Sequence, residues 1–578
     1  MRLSVGLVGL LIGCSATVRK SGGDEEPEGS GQDTSTAAQE TGSAETGSPG
    51  DTSGACPLPP WKTSVPGEVA SMGAGEGVSS GELESAEALA AAVLEDPFAA
   101  AVFWREAGTE RYIVHTQSGL FHFVRSRGDD GNLAFAWEGE APFLDDPLAD
   151  ADLASELAYP NTQGTSYPSN GYSDDDVRLS FPEMGSANYP NMMRRIAQIF
   201  DSGTGPDLGV VLAPWANGGI GSHGGMDLVQ SRVPLVMRGP GVKPGTHALG
   251  VGLVDIAPTV AGLLGVEPVL GVDGHLGRMV DGQMLKWQDG RVIDEILVEA
   301  CAYGAAPRAV VIILDGMSHT ELIDGVAEGR LPHLGRLVDA QAAVVAGGGI
   351  SGWPTYSLPG HATVHTGALQ GHHGLLSNNF VDRATGASAP GVGLEDALAD
   401  PEAGAAALNS YLSESVETLY EAVNRTYPDA VTANINELTF RGATWSRSGP
   451  SGPPPPGLTD YFEYSFADQT AVLQVEQMLE AVGPPAYLAL SMYLPDGVGQ
   501  GEGPHGDVLR EAMVETDTRI GQILDLYQEA GAFEDTLWVL TADHGMALQD
   551  NARTSEWSSR VSATGISTSN NGRMLVIR

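Results

Sequence analysis

Ser357 stands in the run Thr355-Tyr356-Ser357-Leu358-Pro359-Gly360-His361, where a hydroxyl meets a tight Pro-Gly turn. Downstream, His373-Gly374-Leu375-Leu376-Ser377 leads to Asn378. A serine hydroxyl is a poor nucleophile near neutral pH and needs a base or a metal ion to activate it. Attack at phosphorus also builds charge on the phosphoryl oxygens, which needs a fixed donor such as a side-chain amide. Ser357 is therefore the candidate nucleophile and Asn378 the candidate oxyanion donor.

Two apolar runs must position partners for that hydroxyl. Residues Arg308 to Leu314 form a continuous apolar run ending in Asp315-Gly316, and Thr536 to Ala542 form another ending in Asp543-His544-Gly545. Each reads as a buried parallel strand that delivers polar side chains at its C-terminal edge, where open α/β sheets place their ligands. Asp315 is a metal-ligand candidate on that ground. An Asp and a His side by side at a strand end suit a borderline metal such as zinc.

Asp315-Gly, the Ser357-x-Pro-Gly-His turn, Asn378 and Asp543-His544-Gly together resemble the alkaline phosphatase superfamily, in particular its nucleotide pyrophosphatase/phosphodiesterase branch. The resemblance implies an α/β fold: a mixed, mostly parallel sheet sandwiched between helices. It also implies two divalent ions, with zinc favoured. One would be held by Asp315, Ser357, Asp543 and His544. The other would take the Asp and His of an Asp-x-x-x-His motif and a distant His in Gly-x-His-Gly. Asp496 stands where that Asp belongs, in Tyr493-Leu494-Pro495-Asp496-Gly497-Val498-Gly499-Gln500.

The chain departs from the family pattern twice. First, the distant His-Gly motif should follow the Asp-His-Gly motif, yet no His occurs after His544. It occurs far upstream as Gly221-Ser222-His223-Gly224. There it is followed by Arg232 to Gly241 and by Val254 to Gly265, which resemble the C-terminal end of such a phosphatase. A circular permutation is expected, with residues 61–301 as the family's C-terminal half and 302–578 as its N-terminal half carrying the nucleophile. Such rearrangement is tolerated where the original termini lie close together at the surface. Second, Gln500 replaces the His four residues after Asp496. Zinc prefers an imidazole to a neutral amide oxygen, so the second site should be weakened or refilled, with Glu502 and His505 nearby in a Gly-rich loop. His361 reads as ordering the turn, and His319, His365, His372 and His373 as loop or supporting residues.

Met1 to Cys14 resembles a lipoprotein signal peptide whose lipobox ends at Cys14; an ordinary signal with an incidental Cys is the alternative. The apolar run is too short to span a bilayer. Residues 15–60 are Gly, Ser, Thr, Asp and Glu with few large apolar side chains, a composition that cannot offset the entropy of ordering. They are expected to form a disordered acidic tether. The expected location is the cell envelope: lipid-anchored, at the outer membrane or otherwise extracytoplasmic. Cys56 and Cys301 could pair there or remain separate thiols.

The net charge of -44 argues against a nucleic-acid polymer as partner, since a polyanion would be repelled. It does not exclude a small phosphate ester, because bound metal ions dominate the local field of such a site. From Glu82 the pattern predicts a helix over Ala86 to Leu94, strands over Ala99 to Trp104, Arg111 to Thr116 and Gly119 to Val124 capping one side of the sheet, and a further strand over Leu208 to Ala213. Asp255 and Asp507 read as helix N-caps.

The expected activity is in-line displacement at phosphorus by metal-activated Ser357 through a covalent phospho-intermediate, with the family resemblance favouring diesters over monoesters. Arg383 is the one basic residue near Asn378 that could clamp a dianion. Three rivals stand beside this reading: a tethered binding protein of the same fold with an impaired metal pair, a phosphomonoesterase, and a phosphomutase of the same superfamily.

Overall fold

A computed structural model describes residues 77–128, 132–143, 188–274, 276–298, 303–383, 386, 388–389, 409–447 and 462–578. The lipobox, the tether, Cys56, Cys301 and His275 lie outside the described residues.

The organising element is an eight-stranded sheet. Its strands in chain order are β1 (Leu235–Arg238), β2 (Gly245–His247), β3 (Arg308–Leu314), β4 (Ala342–Val345), β5 (Thr432–Ile435), β6 (Trp445–Arg447), β7 (Tyr487–Met492) and β8 (Thr536–Thr541). Their order in space is β6-β5-β7-β3-β8-β1-β4-β2. Only β1 runs against the others, pairing antiparallel with both β8 and β4, so the sheet is mixed and mostly parallel as expected. The central strands β3, β7 and β8 are buried along nearly their whole length, which explains their unbroken apolar sequence. Helices cover the sheet, among them α1 (His319–Ala327), α2 (Ser357–Thr366), α3 (Phe462–Val482), α4 (Leu494–Glu502) and α5 (Asp507–Glu529).

The register sets the site. Leu314 pairs with Met492 and Ile313 with Thr541, so the C-terminal ends of β7, β3 and β8 lie side by side. Thr541 also pairs with Leu235 of the reversed strand β1, so the chain entering β1 arrives at this same edge. Gly545 N–H donates to Gln230 O, and residues 547–548 pair antiparallel with residues 221–222. A segment from the first half of the sequence is thereby locked against the Asp-His-Gly turn.

The early strands do not cap this sheet. Ala99–Arg105, Arg111–Thr116, Gly119–Arg127, Leu133–Trp137 and Leu208–Leu212 join Thr568–Asn571 and Met574–Ile577 in a separate seven-stranded sheet that is antiparallel throughout. Its apolar face shares a core with Leu358 and Ala362 of α2, while Val364 turns toward the main core. Helix α2 is therefore gripped between two apolar layers, which fixes where its first residue, Ser357, can stand.

Three local expectations need correction. Asp255 precedes the helix Ile256–Leu263, but its carboxylate accepts from Gly252 N–H and Arg291 N–H and makes no side-chain cap. Asp507 is the first residue of α5, and Gly506 holds the cap position. The Gly-rich stretch after Asp496 is helical through Glu502 instead of a loop. Its glycines serve close packing: a Cβ on Gly497 would meet the Tyr464 ring at 2.5 Å, and one on Gly499 would meet Met546 Sδ at 2.9 Å.

Candidate active site

Ser357 opens α2, and its hydroxyl lies 3.3 Å from His544 Nε2. The helix start has no cap of its own. Instead Asn378 Oδ1 accepts from Leu358 N–H at 2.8 Å, which leaves the amide NH2 as the end of Asn378 able to donate. Gly360, one turn into the helix, is required by close approach, since a Cβ there would come within 2.8 Å of Asp543 Cβ and of its carbonyl oxygen.

Around Ser357 the structure gathers Asp315 from the end of β3, Asp543 and His544 from the end of β8, Asp496 and Gln500 from α4, and His223 from the first half. Two groups have ligand atoms within 4.8 Å of one another: Asp315, Asp543 and His544, and His223, Asp496 and His544. His544 Nδ1 lies 3.1 Å from the carbonyl of Gly545, so Nδ1 carries the proton and Nε2 alone is left as a ligand. His544 can therefore complete only one of the two groups.

His223 is held in the same manner. Its Nδ1 faces Thr355 O at 3.0 Å, leaving Nε2 directed at Asp496 Oδ1, 3.9 Å away, and at the Gln500 amide, 3.2 Å away. Thr355 ties the two loops together, accepting from Gly224 N–H and donating to Gly225 O. Asp496 and Gln500, four residues apart on α4, present side chains to one face. Gln500 Nε2 donates to Asp496 Oδ2 at 2.6 Å. The start of α4 is fixed by buried Asp468, which accepts from Tyr493 N–H and Leu494 N–H.

The chemistry of this donor set fits divalent cations. Asp315 Oδ1, Asp496 Oδ1 and Asp543 Oδ2 are buried and make no hydrogen bond. Uncompensated carboxylates at such depth are costly. Burial first, and then the charges of Asp543 and Asp496, push the Asp315 carboxyl well above the usual range. Burial, reinforced by His223, holds His544 well below the ordinary imidazole value, keeping it neutral as a ligand must be.

Not every expected residue joins the cluster. His505 is in neither ligand group; its Nδ1 lies 3.1 Å from buried Glu321. Arg383, the expected dianion clamp, is held by Asp207 Oδ1 at 2.6 Å and Gly205 O at 2.7 Å. His361 lies inside α2 instead of ordering a turn, with Nδ1 2.7 Å from Glu437 and Nε2 3.6 Å from Asp315. Burial opposes its charge, but Glu437 and Asp315 outweigh burial and hold His361 well above its ordinary value. His365 shares Glu437, and His372 bridges Asp289 and Asp201. Sequence reasoning missed Glu437 altogether, because a lone Glu in Asn434-Ile435-Asn436-Glu437 carries no motif.

The family model for type I phosphodiesterase / nucleotide pyrophosphatase matches residues 309–572. Those residues belong to that family, a branch of the alkaline phosphatase superfamily. The matched span contains Asp315, Ser357, Asn378, Asp496, Asp543 and His544, whereas His223 and strand β1 lie outside it. Members of this phosphodiesterase and pyrophosphatase family hydrolyse phosphoric esters. Among solved structures, the chain is similar to murine ectonucleotide pyrophosphatase / phosphodiesterase 5 at 17% identity and a TM-score of 0.29, covering 42% of this chain and 57% of that one. An inactive variant of the murine protein in complex with AMP gives the same values. The human counterpart matches at 15% identity and a TM-score of 0.29, covering 41% and 57%. The chain thus spans somewhat over half the length of these structures. No curated protein matches it in sequence.

Proposed function

We propose that the chain is a metal-dependent phosphoric ester hydrolase of phosphodiesterase type with Ser357 as nucleophile. The observation that carries this reading is the convergence, on the hydroxyl at the start of α2, of three buried carboxylate oxygens that make no hydrogen bond. Asp315, Asp543 and His544 would hold one divalent ion, Asp496 and His223 a second, with zinc suited to the mixed nitrogen and oxygen donors. When bound, the ions would activate the hydroxyl and neutralise charge on the departing oxygen.

The chain's own residues supply the rest. Ser357 Oγ sits at the positive end of a ten-residue helix, where an anionic phosphoryl group is favoured. Asn378, pinned through its oxygen, offers its NH2 to an equatorial phosphoryl oxygen. Attack by Ser357 Oγ forms the Oγ–P bond as the leaving alkoxide departs, and water then cleaves the Oγ–P bond to return the free serine. Because Arg383 is committed to Asp207, it is not available to meet the extra charge of a monoester dianion, which favours diesters.

His223 reaches the site from outside the matched span, which supports a permuted arrangement in which residues 61–301 stand for the family's C-terminal half. The signal and tether motifs support an envelope location with an N-terminal lipid anchor, and no helix among the described residues is long and apolar enough to cross a membrane. The Gln500 contacts favour one second reading, a binding protein with a single working metal position. Hydrolysis of bis-p-nitrophenyl phosphate and p-nitrophenyl phosphate, by wild type and Ser357→Ala with and without added zinc, tests the proposal. Turnover of neither ester, or turnover retained in Ser357→Ala, would remove it.

A further inference from the structure

Glu437 lies just beyond β5, at the same sheet edge as the metal-ligand candidates, and is fully buried. The chain turns into this position through Asn436 in the left-handed region at φ 56°, and Glu437 N–H donates to Asn434 Oδ1. Its carboxylate is held on every side. Oε1 accepts from Leu438 N–H at 2.9 Å, Thr439 N–H at 3.2 Å and His361 Nδ1 at 2.7 Å; Oε2 accepts from Ser491 Oγ at 2.5 Å and faces His365 Nε2 at 3.3 Å. So many donors leave the carboxylate one orientation.

His361 inherits that orientation. A carboxylate only accepts, so the contact to Glu437 places a proton on Nδ1. The opposite nitrogen then points between two ligand candidates, 3.6 Å from Asp315 Oδ2 and 3.8 Å from Asp543 Oδ2, and has no hydrogen-bond partner of its own. Asp543 Oδ1 is already taken by Gly316 N–H. We propose that Glu437 and His361 are positioning residues, Glu437 locking the His361 imidazole so that its Nε2 edge orients the Asp315 and Asp543 carboxylates toward the divalent ion. The usual support for a metal site is a carboxylate behind a histidine ligand. Here the order is inverted, with a histidine behind two carboxylate ligands. The inference rests on the metal-dependent reading above.

The test measures zinc affinity by chelator competition, and the melting temperature of the chelated protein, for wild type, His361→Gln, Glu437→Gln and the double variant. The expected result is a tenfold or greater weakening of zinc binding in each single variant, with the double variant no worse than His361→Gln alone. Unchanged zinc affinity in both singles overturns the positioning role, as does loss confined to the melting temperature. Additive losses in the double variant overturn the claim that Glu437 acts through His361. Should His361→Gln not fold, Ser491→Ala takes its place: a severalfold weakening of zinc binding supports the proposal and none overturns it. Wild-type protein that takes up no zinc overturns the metal-dependent reading and this one with it, whereas normal wild-type uptake with unaffected variants removes only this one.

Discussion

The imidazole of His223 stacks on that of His544, ring centroids 3.9 Å apart and planes within 13° of parallel. One ring comes from a loop locked by residues 547–548 and the other from the end of β8, yet both have Nδ1 bound to a backbone carbonyl and Nε2 turned to the buried carboxylates. The reversed direction of β1 makes this meeting possible, because it starts at the edge where β8 ends. Under the two-ion reading proposed above, this pair offers one imidazole to each ion.

Under that reading the second ion would lack a third strong ligand. Gln500 occupies that place with its amide donating to Asp496 and facing His223, contacts that pull both groups away from a cation. Replacing it with an imidazole, in Gln500→His, should raise bound zinc toward two per chain, tighten the weaker site by roughly tenfold or more, and increase turnover. Zinc stoichiometry by elemental analysis, read beside diester turnover, checks this. An unaltered stoichiometry would show that the amide is not what limits the site.

Asn378 does two things, and substitutions separate them. Asn378→Asp keeps an oxygen for Leu358 N–H but loses the NH2 group, so turnover should fall about 100-fold or more while the melting temperature stays close to wild type. Asn378→Ala loses both and should also loosen the start of α2. Equal turnover in Asn378→Asp and wild type would show that the amide makes no contact with the phosphoryl group.

Much of this centre was legible in the sequence. Asp315 and Asp543-His544 end apolar runs that could only be buried strands, and Ser357 and Asn378 belong to a short local motif. His223 was found by motif even though the strand order that brings it home is a tertiary property. Glu437 was not legible, because its importance comes from donors on β7, α2 and its own loop. The helix α4 was hidden by glycines whose propensity argues for a loop, and packing against Tyr464 and Met546 overrides it. The antiparallel sheet was missed because its neighbours come from both ends of the chain.

Chelation gives a direct reading of the carboxylate cluster. Removing bound ions should abolish turnover and lower thermal stability, since binding to the native state alone stabilises it by about 2.7 kcal/mol when free ion exceeds the dissociation constant 100-fold. Differential scanning calorimetry with and without chelator reports this. A melting temperature indifferent to zinc would mean that the buried acids are neutralised by protons alone.

A second buried network predicts a pH dependence that can be measured with the metals removed. His372 is clamped between Asp289 Oδ2 at 2.6 Å and Asp201 Oδ2 at 3.1 Å, and Asp201 is gripped by both terminal nitrogens of Arg125, from the antiparallel sheet, at 2.6 and 2.8 Å. Burial opposes the His372 charge, but Asp289 chiefly, with Asp201, outweighs it and raises the imidazole to about 9. Asp289 falls to about 2, the His372 charge overcoming its burial. A raised histidine contributes stability that is complete below its unfolded value near 6.5 and is lost as pH climbs through 9; the lowered Asp289 contributes above about 4 and loses it as pH falls through 2. The network should therefore stabilise most between about pH 4 and 6.5. Urea unfolding of chelated wild type and His372→Gln should show a stability gap at pH 6 that shrinks by roughly 2 kcal/mol at pH 8.5. A gap that stays constant across that range would mean that His372 is held there uncharged, as packing alone.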